Sequence, residues 1–203
     1  MTTIWNFPSG ARGLRAVWLC EAMGLPYKVE SVTYPPSEAY KALNPIGSVP
    51  FLQDGDIGIN ESVAIMIYIV GKYGPTPLAP APDDPRYARV LQMTVFAEAT
   101  IMAAMNPLMG AHFAAPENEK RNWSVVAAEQ QLAAAFDYAI GILGDGPFFA
   151  GAEFTMADIA MSTAFGIYRG VLRGKLPAPL AAFQDRIGDR PAYPRARERN
   201  GRR

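Results

Sequence analysis

The pattern of apolar and polar positions changes once along this chain, near residue 74. Before that point, short runs of β-type alternation are interleaved with two stretches of helical spacing, at about residues 12–23 and 62–73. The β-type runs are Thr3–Phe7, Tyr27–Val32, Val49–Gln53 and Ile57–Ile59. This order predicts a β-α-β unit followed by a β-β-α unit, with Asp54-Gly55-Asp56 as the turn of the last hairpin.

A proline-rich segment follows, with five prolines between Gly74 and Pro85. Proline lacks a backbone N–H and fixes φ, so this segment favours an extended connector over a helix or a strand. Beyond it, β-type alternation is absent and apolar residues recur at helical spacing, as at Leu132, Phe136 and Ile140. We therefore expect an α/β domain at residues 1–74, a linker at 75–85 and an all-helical domain at 86–203.

The composition indicates a globular chain without a strong electrostatic field. Of 203 residues, 50% are hydrophobic and 19% are charged, and the formal net charge is zero, so neither nucleic acid nor a membrane is an expected partner. The arginine-rich end, residues 190–203, is interpreted as a solvated tail. The sequence shows no export signal and no apolar run of membrane-spanning length, so we expect a cytoplasmic protein.

The segment Asn44–Leu52 and the pair Glu61-Ser62 are the strongest candidates for a binding site. The Val49–Pro50 bond lies where a turn meets a short apolar strand, and at X-Pro bonds the trans form is favoured by only about 0.5–1 kcal/mol. A cis bond there would leave the backbone of Val49 open to another backbone. Glu61 and Ser62 precede an apolar helical pattern, where unpaired N–H groups attract a carboxylate and a hydroxyl can donate to it. Together these parts could hold a short peptide by its main chain and its free carboxylate.

Four segments, in this order, resemble motifs of the cytosolic glutathione transferase family in its bacterial form. They are Leu14–Tyr27, Asn44–Leu52 with Glu61-Ser62, Phe154–Ala160 and Arg190–Ala196. The resemblance covers nearly the whole chain and implies a thioredoxin-like α/β domain followed by an all-α domain, a homodimer, and glutathione as a substrate without a metal. It also implies that glutathione is bound by Ser48, Val49, Pro50, Glu61 and Ser62.

A glutathione transferase must stabilise the thiolate, because an ordinary thiol has a pKa near about 8.5 and is mostly protonated at neutral pH. Family members place a tyrosine, serine or cysteine for this task between the first strand and the first helix. Here that segment offers Ser9 as its only hydroxyl and Arg12 as a permanent cation, and both are candidate catalytic residues. The dipole of the first helix could supply much of the effect. Cys20 lies inside the helical pattern and is interpreted as a buried core thiol.

The resemblance also directs attention to the first helix after the linker. Met102, Met105, Met109 and His112 are expected to line an acceptor pocket between the domains, because methionine adapts to varied apolar ligands, although packing in an ordinary helical core is an alternative for each methionine. Glu98 is a candidate to reach the glutamyl amine across a dimer interface, or else an exposed helix carboxylate. Relatives often carry a cation near Ile46 or Ser48, for which Lys41 or Arg15 could compensate.

Thr155 and Asp158 form a capping-box pattern with a structural role, because reciprocal capping satisfies the helix N-terminus and places nothing chemical near a ligand.

The predicted function is conjugation of the glutathione thiolate to small apolar electrophiles, as in detoxification. Three other functions remain open. One is a noncatalytic glutathione-fold ligandin or interaction module, favoured by the missing tyrosine and cysteine and by the uncharged proline loop. The others are glutathione-dependent reductive ether cleavage or dehalogenation, and peroxide reduction.

Overall fold

The computed structural model of the protein describes residues 1–8 and 11–201. The chain divides into two compact units. The first contains Met1–Ala79 together with Arg186–Arg203, and the second contains Pro80–Asp185. The predicted order of an α/β half followed by a helical half is confirmed.

The first unit is built on a sheet with helices against it. In the described part of the chain, its strands form a four-stranded sheet in the order β2-β1-β3-β4, with β1 and β2 parallel and the other pairs antiparallel. The elements are β1 (Thr2–Asn6), α1 (Leu14–Met23), β2 (Tyr27–Ser31), α2 (Glu38–Leu43), β3 (Phe51–Asp54), β4 (Ile57–Asn60) and α3 (Ser62–Tyr73). Of these elements, the short α2 was not expected from the sequence.

The core of this unit joins the central strands to α1 and α3. The largest fully buried apolar side chains come from these elements and include Ile4, Trp18, Leu52, Ile65 and Met66. Because β1 and β3 are the inner strands of the sheet, their apolar residues are covered, whereas β2 and β4 at the edges are more exposed.

The arginine-rich end is not a solvated tail, so that prediction was wrong. It forms α9 (Ala192–Arg199), which packs against α1. Arg195 Nε lies 2.9 Å from Glu21 Oε2 on α1, and Arg199 Nε lies 3.4 Å from Glu21 Oε1. Burial alone would raise the pKa of Glu21, but hydrogen bonds from Tyr27 and Arg195 outweigh it and lower the pKa below its ordinary value. The sequence gives no local sign of this packing, because the partner carboxylate of Glu21 lies 174 residues away from Arg195.

The second unit is helical throughout its main elements. Its helices are α4 (Tyr87–Phe96), a π-helical segment (Ala97–Met102), α5 (Ala103–Phe113), α6 (Trp123–Leu143), α7 (Met156–Gly170) and most of α8 (Ala178–Gly188), with a short 3₁₀ turn at Glu117–Glu119. Its core contains an aromatic cluster in which the rings of Phe149 and Phe183 lie 4.8 Å apart and both approach Phe165. Among the described residues, no helix is long and apolar enough to cross a membrane.

Candidate functional site

The N-terminus of α3 is open to a ligand. The helix begins at Ser62, as predicted, and within the described residues no side chain caps it. The N-cap residue, Glu61, is exposed and has φ 69° and ψ 107°, a conformation that residues with a side chain rarely adopt. Because the first N–H groups of a helix have no intrahelical acceptors, this end can bind an anion.

A buried cation stands beside the same helix end. Arg15 on α1 is fully buried, and its Nη1 donates a hydrogen bond of 2.8 Å to Oγ of Ser62, which is itself 3% exposed. A buried guanidinium requires acceptors, and its charge adds to the positive end of the helix dipole. Lys41, the other cation considered from the sequence, is instead bound to Glu38 at 2.8 Å on the surface. Of these two cations, Arg15 is therefore the one that lies beside the N-terminus of α3.

The proline loop is held in place by two side chains that the sequence analysis missed. The carbonyl oxygen of Ser48 accepts hydrogen bonds from Asn44 Nδ2 at 2.8 Å and from the hydroxyl of Tyr40 at 2.5 Å. Asn44 is 1% exposed, and its Oδ1 accepts a longer bond of 3.4 Å from Asn60, which directly precedes Glu61. This amide thus links the loop to the segment that leads into α3. The available signal was the dipeptide Asn44-Pro45, because the side chain of an asparagine at a turn often bonds nearby backbone.

The loop presents its backbone beyond the sheet. The Val49–Pro50 peptide bond is cis, and pairing of β3 with its neighbours begins one residue later, at Phe51. Ser48 is exposed, Val49 is half-buried and Pro50 is buried. Val49 packs on the apolar cluster of Val32, Tyr40 and Phe51, so the loop rests on a fixed surface. Burial raises the pKa of Tyr40, although its hydrogen bond with Asn44 opposes this.

The proposed thiolate residues lie between β1 and α1. Ser9 falls outside the described residues. Arg12 is half-buried in the turn before α1, and its carbonyl oxygen accepts a bond of 3.1 Å from the amide of Arg15. Cys20 is 1% exposed, and burial raises the pKa of its thiol to about 12, so the prediction of a buried core thiol is confirmed.

The acceptor-pocket residues of the helical unit have different environments. Met102 and Met105 are buried, which agrees with the alternative interpretation as helical core, whereas Met109 is half-buried. His112 is exposed and lines a cavity of about 460 Å³ in this unit, together with Leu108, Ala111, Phe136 and Tyr168. Glu98 is half-buried and lies in the π-helical segment, an irregularity that often occurs at functional sites.

Comparison with known proteins identifies the family. Residues 1–71 match the model of the glutathione S-transferase N-terminal domain, and residues 85–198 match that of the C-terminal domain. Glutathione S-transferase 3 of Schizosaccharomyces pombe is 27% identical over 199 residues, which cover 90% of this chain and 81% of that protein.

Solved structures agree with these matches. The theta class glutathione S-transferase from Xanthomonas axonopodis pv. citri, crystallised with glutathione bound, is similar with a TM-score of 0.79 at 29% identity over 96% of both chains. A glutathione transferase from Methylococcus capsulatus shares the fold with a TM-score of 0.85 at 24% identity over 99% of both chains. The predicted thioredoxin-like domain followed by a helical domain is confirmed, and the chain belongs to the glutathione S-transferase family.

Proposed function

We propose that this protein binds glutathione as its thiolate and conjugates it to small apolar electrophiles. The observation that carries the proposal is the open N-terminus of α3, with Arg15 Nη1 2.8 Å from Ser62 Oγ. Free helix N–H groups, a hydroxyl and a guanidinium together suit a carboxylate. The γ-glutamyl group of glutathione ends in such a carboxylate.

The remaining parts of glutathione have partners of matching chemistry in the same unit. The γ-glutamyl amine is a cation, and Glu61 next to Ser62 offers it an exposed carboxylate. The cysteinyl residue has a backbone amide and carbonyl, which the backbone of Val49 beyond the end of β3 can pair with. Ser48 and Pro50 frame this position. The tripeptide would thus be bound by its main chain and its charged end, which leaves the thiol free to react.

Stabilisation of the thiolate is assigned to the start of α1. Arg12 carries a permanent charge there, and within the described residues the N-cap, Gly13, contributes no side-chain cap. Because the amides of Leu14 and Arg15 are already bound to the carbonyls of Ala11 and Arg12, we assign the stabilisation of the anion to Arg12, to the hydroxyl of Ser9 and to the dipole of α1. With several donors, we expect neither Ser9→Ala nor Arg12→Ala alone to abolish thiolate formation.

The residues that contact the electrophile and the homodimer are proposed from fewer observations. Met109 and His112 are the predicted acceptor residues that retain accessible surface in the helical unit, so we assign the acceptor contacts to them rather than to Met102 and Met105. A homodimer, in which Glu98 binds the glutamyl amine held by the partner, stays a prediction.

The test is a titration of bound glutathione by its thiolate absorbance in the ultraviolet from pH 5 to 9, followed by assay with an activated aryl halide. A pKa of the bound thiol below that of free glutathione, with conjugate formed, is the expected result for the wild type and, more weakly, for Ser9→Ala and Arg12→Ala. Binding without a lowered pKa would refute conjugation and favour the noncatalytic ligandin. Absence of binding would refute the glutathione site itself.

A further inference from the structure

Asn200, at the C-terminal end of α9, is hydrogen-bonded to Asn6, at the end of β1. Asn6 is the last residue of β1 and is 1% exposed, and its Nδ2 donates a hydrogen bond of 2.6 Å to Oδ1 of Asn200, which is 4% exposed. These residues are 194 positions apart in the sequence. Asn200 is the C-cap of α9, and its own amide is bound to the carbonyl of Ala196 at 3.0 Å, which fixes it to that helix.

Asn6, the donor of this pair, is packed against the start of α1. A Cβ atom on Gly13, the N-cap of α1, would overlap the side-chain amide of Asn6, so only glycine allows this approach. Gly201, with φ +78°, lies so close that a Cβ there would be 3.0 Å from the carbonyl oxygen of Pro8. The side chain of Asn6 therefore lies close against Gly13, and the backbone of Pro8 lies close against Gly201, so there is little room for movement at either position.

A separate set of contacts anchors α9 farther along α1. Arg195 and Arg199 bind Glu21, and the ring of Tyr193 lies 4.5 Å from that of Trp18. These anchors hold α9 to the middle and end of α1, whereas Asn200 acts at its beginning. The two sets of contacts can be broken independently, which allows a positioning role to be separated from general stabilisation.

We infer that Asn200 is a positioning residue for the glutathione site. It acts through Asn6 and Gly13 on the first turn of α1, where Arg12 precedes the helix and Arg15 reaches Ser62. When the Asn6 amide loses its acceptor, the end of β1 loses its buried hydrogen bond to α9, and the side chain that packs against Gly13 is no longer fixed. Arg12 and Arg15 at the start of α1 are then positioned less accurately relative to the thiolate and the carboxylate of glutathione. This inference rests on the proposed function.

The experiment compares Asn200→Ala with Arg195→Ala, which removes an ion pair to Glu21 but leaves the asparagine pair intact. For Asn200→Ala we expect about tenfold weaker glutathione binding by calorimetry and a rise of about one pH unit in the pKa of the bound thiol. Arg195→Ala should lower the melting temperature while both values stay as in the wild type. Asn200→Asp keeps the acceptor oxygen and should recover most of the wild-type pKa.

A second variant and a second measurement keep the inference testable if Asn200→Ala folds poorly. Asn6→Ala removes the donor instead of the acceptor and should raise the thiol pKa in the same way. Amide hydrogen exchange at residues 13–17 should be faster in either asparagine variant than in Arg195→Ala, and this readout needs no glutathione.

Two results would overturn the inference. One is an unchanged thiol pKa in both asparagine variants, and the other is an equal rise in Arg195→Ala. If the wild type bound no glutathione, the proposed function would fail and the positioning role for glutathione would fail with it. Hydrogen exchange would then still show whether Asn200 holds the start of α1.

Discussion

The N-termini of α3 and α7 differ in how their N–H groups are satisfied. At α7, Thr155 and Asp158 form a complete capping box: the side chain of each accepts from the backbone of the other, and Asp158 Oδ1 also accepts from the amide of Phe149 at 2.9 Å. Asp158 is fully buried. At α3, within the described residues, no side chain provides such a cap, and Glu61 points outward in a strained conformation.

This difference separates a helix end that stabilises the fold from one that can bind a ligand. At the N-terminus of α7 the capping box already satisfies backbone N–H groups, so this helix end is poorly suited to bind an anion. The α3 end keeps its capacity and has a buried guanidinium beside it, at a cost in backbone strain of about 1–3 kcal/mol. The two helix starts, which the capping-box pattern at α7 already distinguishes in the sequence, therefore differ in whether their N–H groups are capped by a side chain.

The largest predicted effect is on stability. Asp158→Ala removes the acceptor for two buried amides and a hydroxyl, so it should lower the free energy of unfolding at pH 7 by about 3 kcal/mol. The glutathione affinity of the folded fraction should stay at the wild-type value. Urea denaturation and calorimetry would measure the two quantities, and an unchanged stability with lost affinity would show that α7 belongs to the binding site.

The effect of Asp158→Ala should also depend on pH. Burial raises the pKa of Asp158 to about 6, against hydrogen bonds from Phe149 and Thr155 that lower it. Because the folded chain keeps a proton that the unfolded chain releases near pH 4, the stability linked to this proton is fully present below pH 4 and is lost as the pH rises through 6, on top of the hydrogen bonds that the carboxyl accepts at pH 7.

The stability difference between the wild type and Asp158→Ala should therefore shrink by about 1–3 kcal/mol from pH 4 to pH 7. Urea denaturation of both proteins across this range provides the measurement. A difference that grows with pH would mean that the carboxylate form is the one favoured by the fold.

At α3 the expected effect falls on binding. Ser62→Ala removes a hydroxyl that can donate to the bound carboxylate and should weaken glutathione binding about tenfold. Ser162→Ala is the matched control, because Ser162 is also a buried helical serine, and its hydroxyl has no hydrogen-bond partner among the described residues. Calorimetry should show wild-type affinity for the control, and equal losses in both variants would contradict a specific role for Ser62.

The smallest effect concerns the backbone at Glu61. Glycine tolerates positive φ better than alanine does, so Glu61→Gly should be more stable than Glu61→Ala by about 1 kcal/mol. Both variants lose the carboxylate and should lose glutathione affinity equally. Chemical denaturation of the pair would test this, and equal stabilities would show that the conformation at Glu61 stores no strain.

The fold could largely be predicted because its signals are local. Alternation, proline and the Asp54-Gly55-Asp56 turn located most elements of the first unit, and helical spacing identified the second. The docking of α9 could not be predicted, since its contacts depend on Glu21, which lies 174 residues away from Arg195.

The candidate site also has a part that could be predicted from the local sequence and a part that could not. The helix start at Ser62 and the proline loop follow from neighbouring residues and were predicted. The bond from Arg15 to Ser62 spans 47 positions, and the bonds from Tyr40 and Asn44 to a backbone carbonyl have no pattern of their own. Residues that support a site through such contacts are found only when the chain is folded.

The central claim is that the open end of α3 binds the γ-glutamyl carboxylate. The most direct test compares glutathione with 4-aminobutyryl-cysteinylglycine, which lacks only that carboxylate, in calorimetry on the wild type and on Ser62→Ala. The wild type should bind the analogue about tenfold more weakly or worse. This preference for glutathione should shrink markedly in Ser62→Ala, because that variant lacks the protein side of the interaction whose ligand side the analogue lacks. An equal preference for glutathione in both proteins would show that the carboxylate is bound elsewhere, not at the open end of α3.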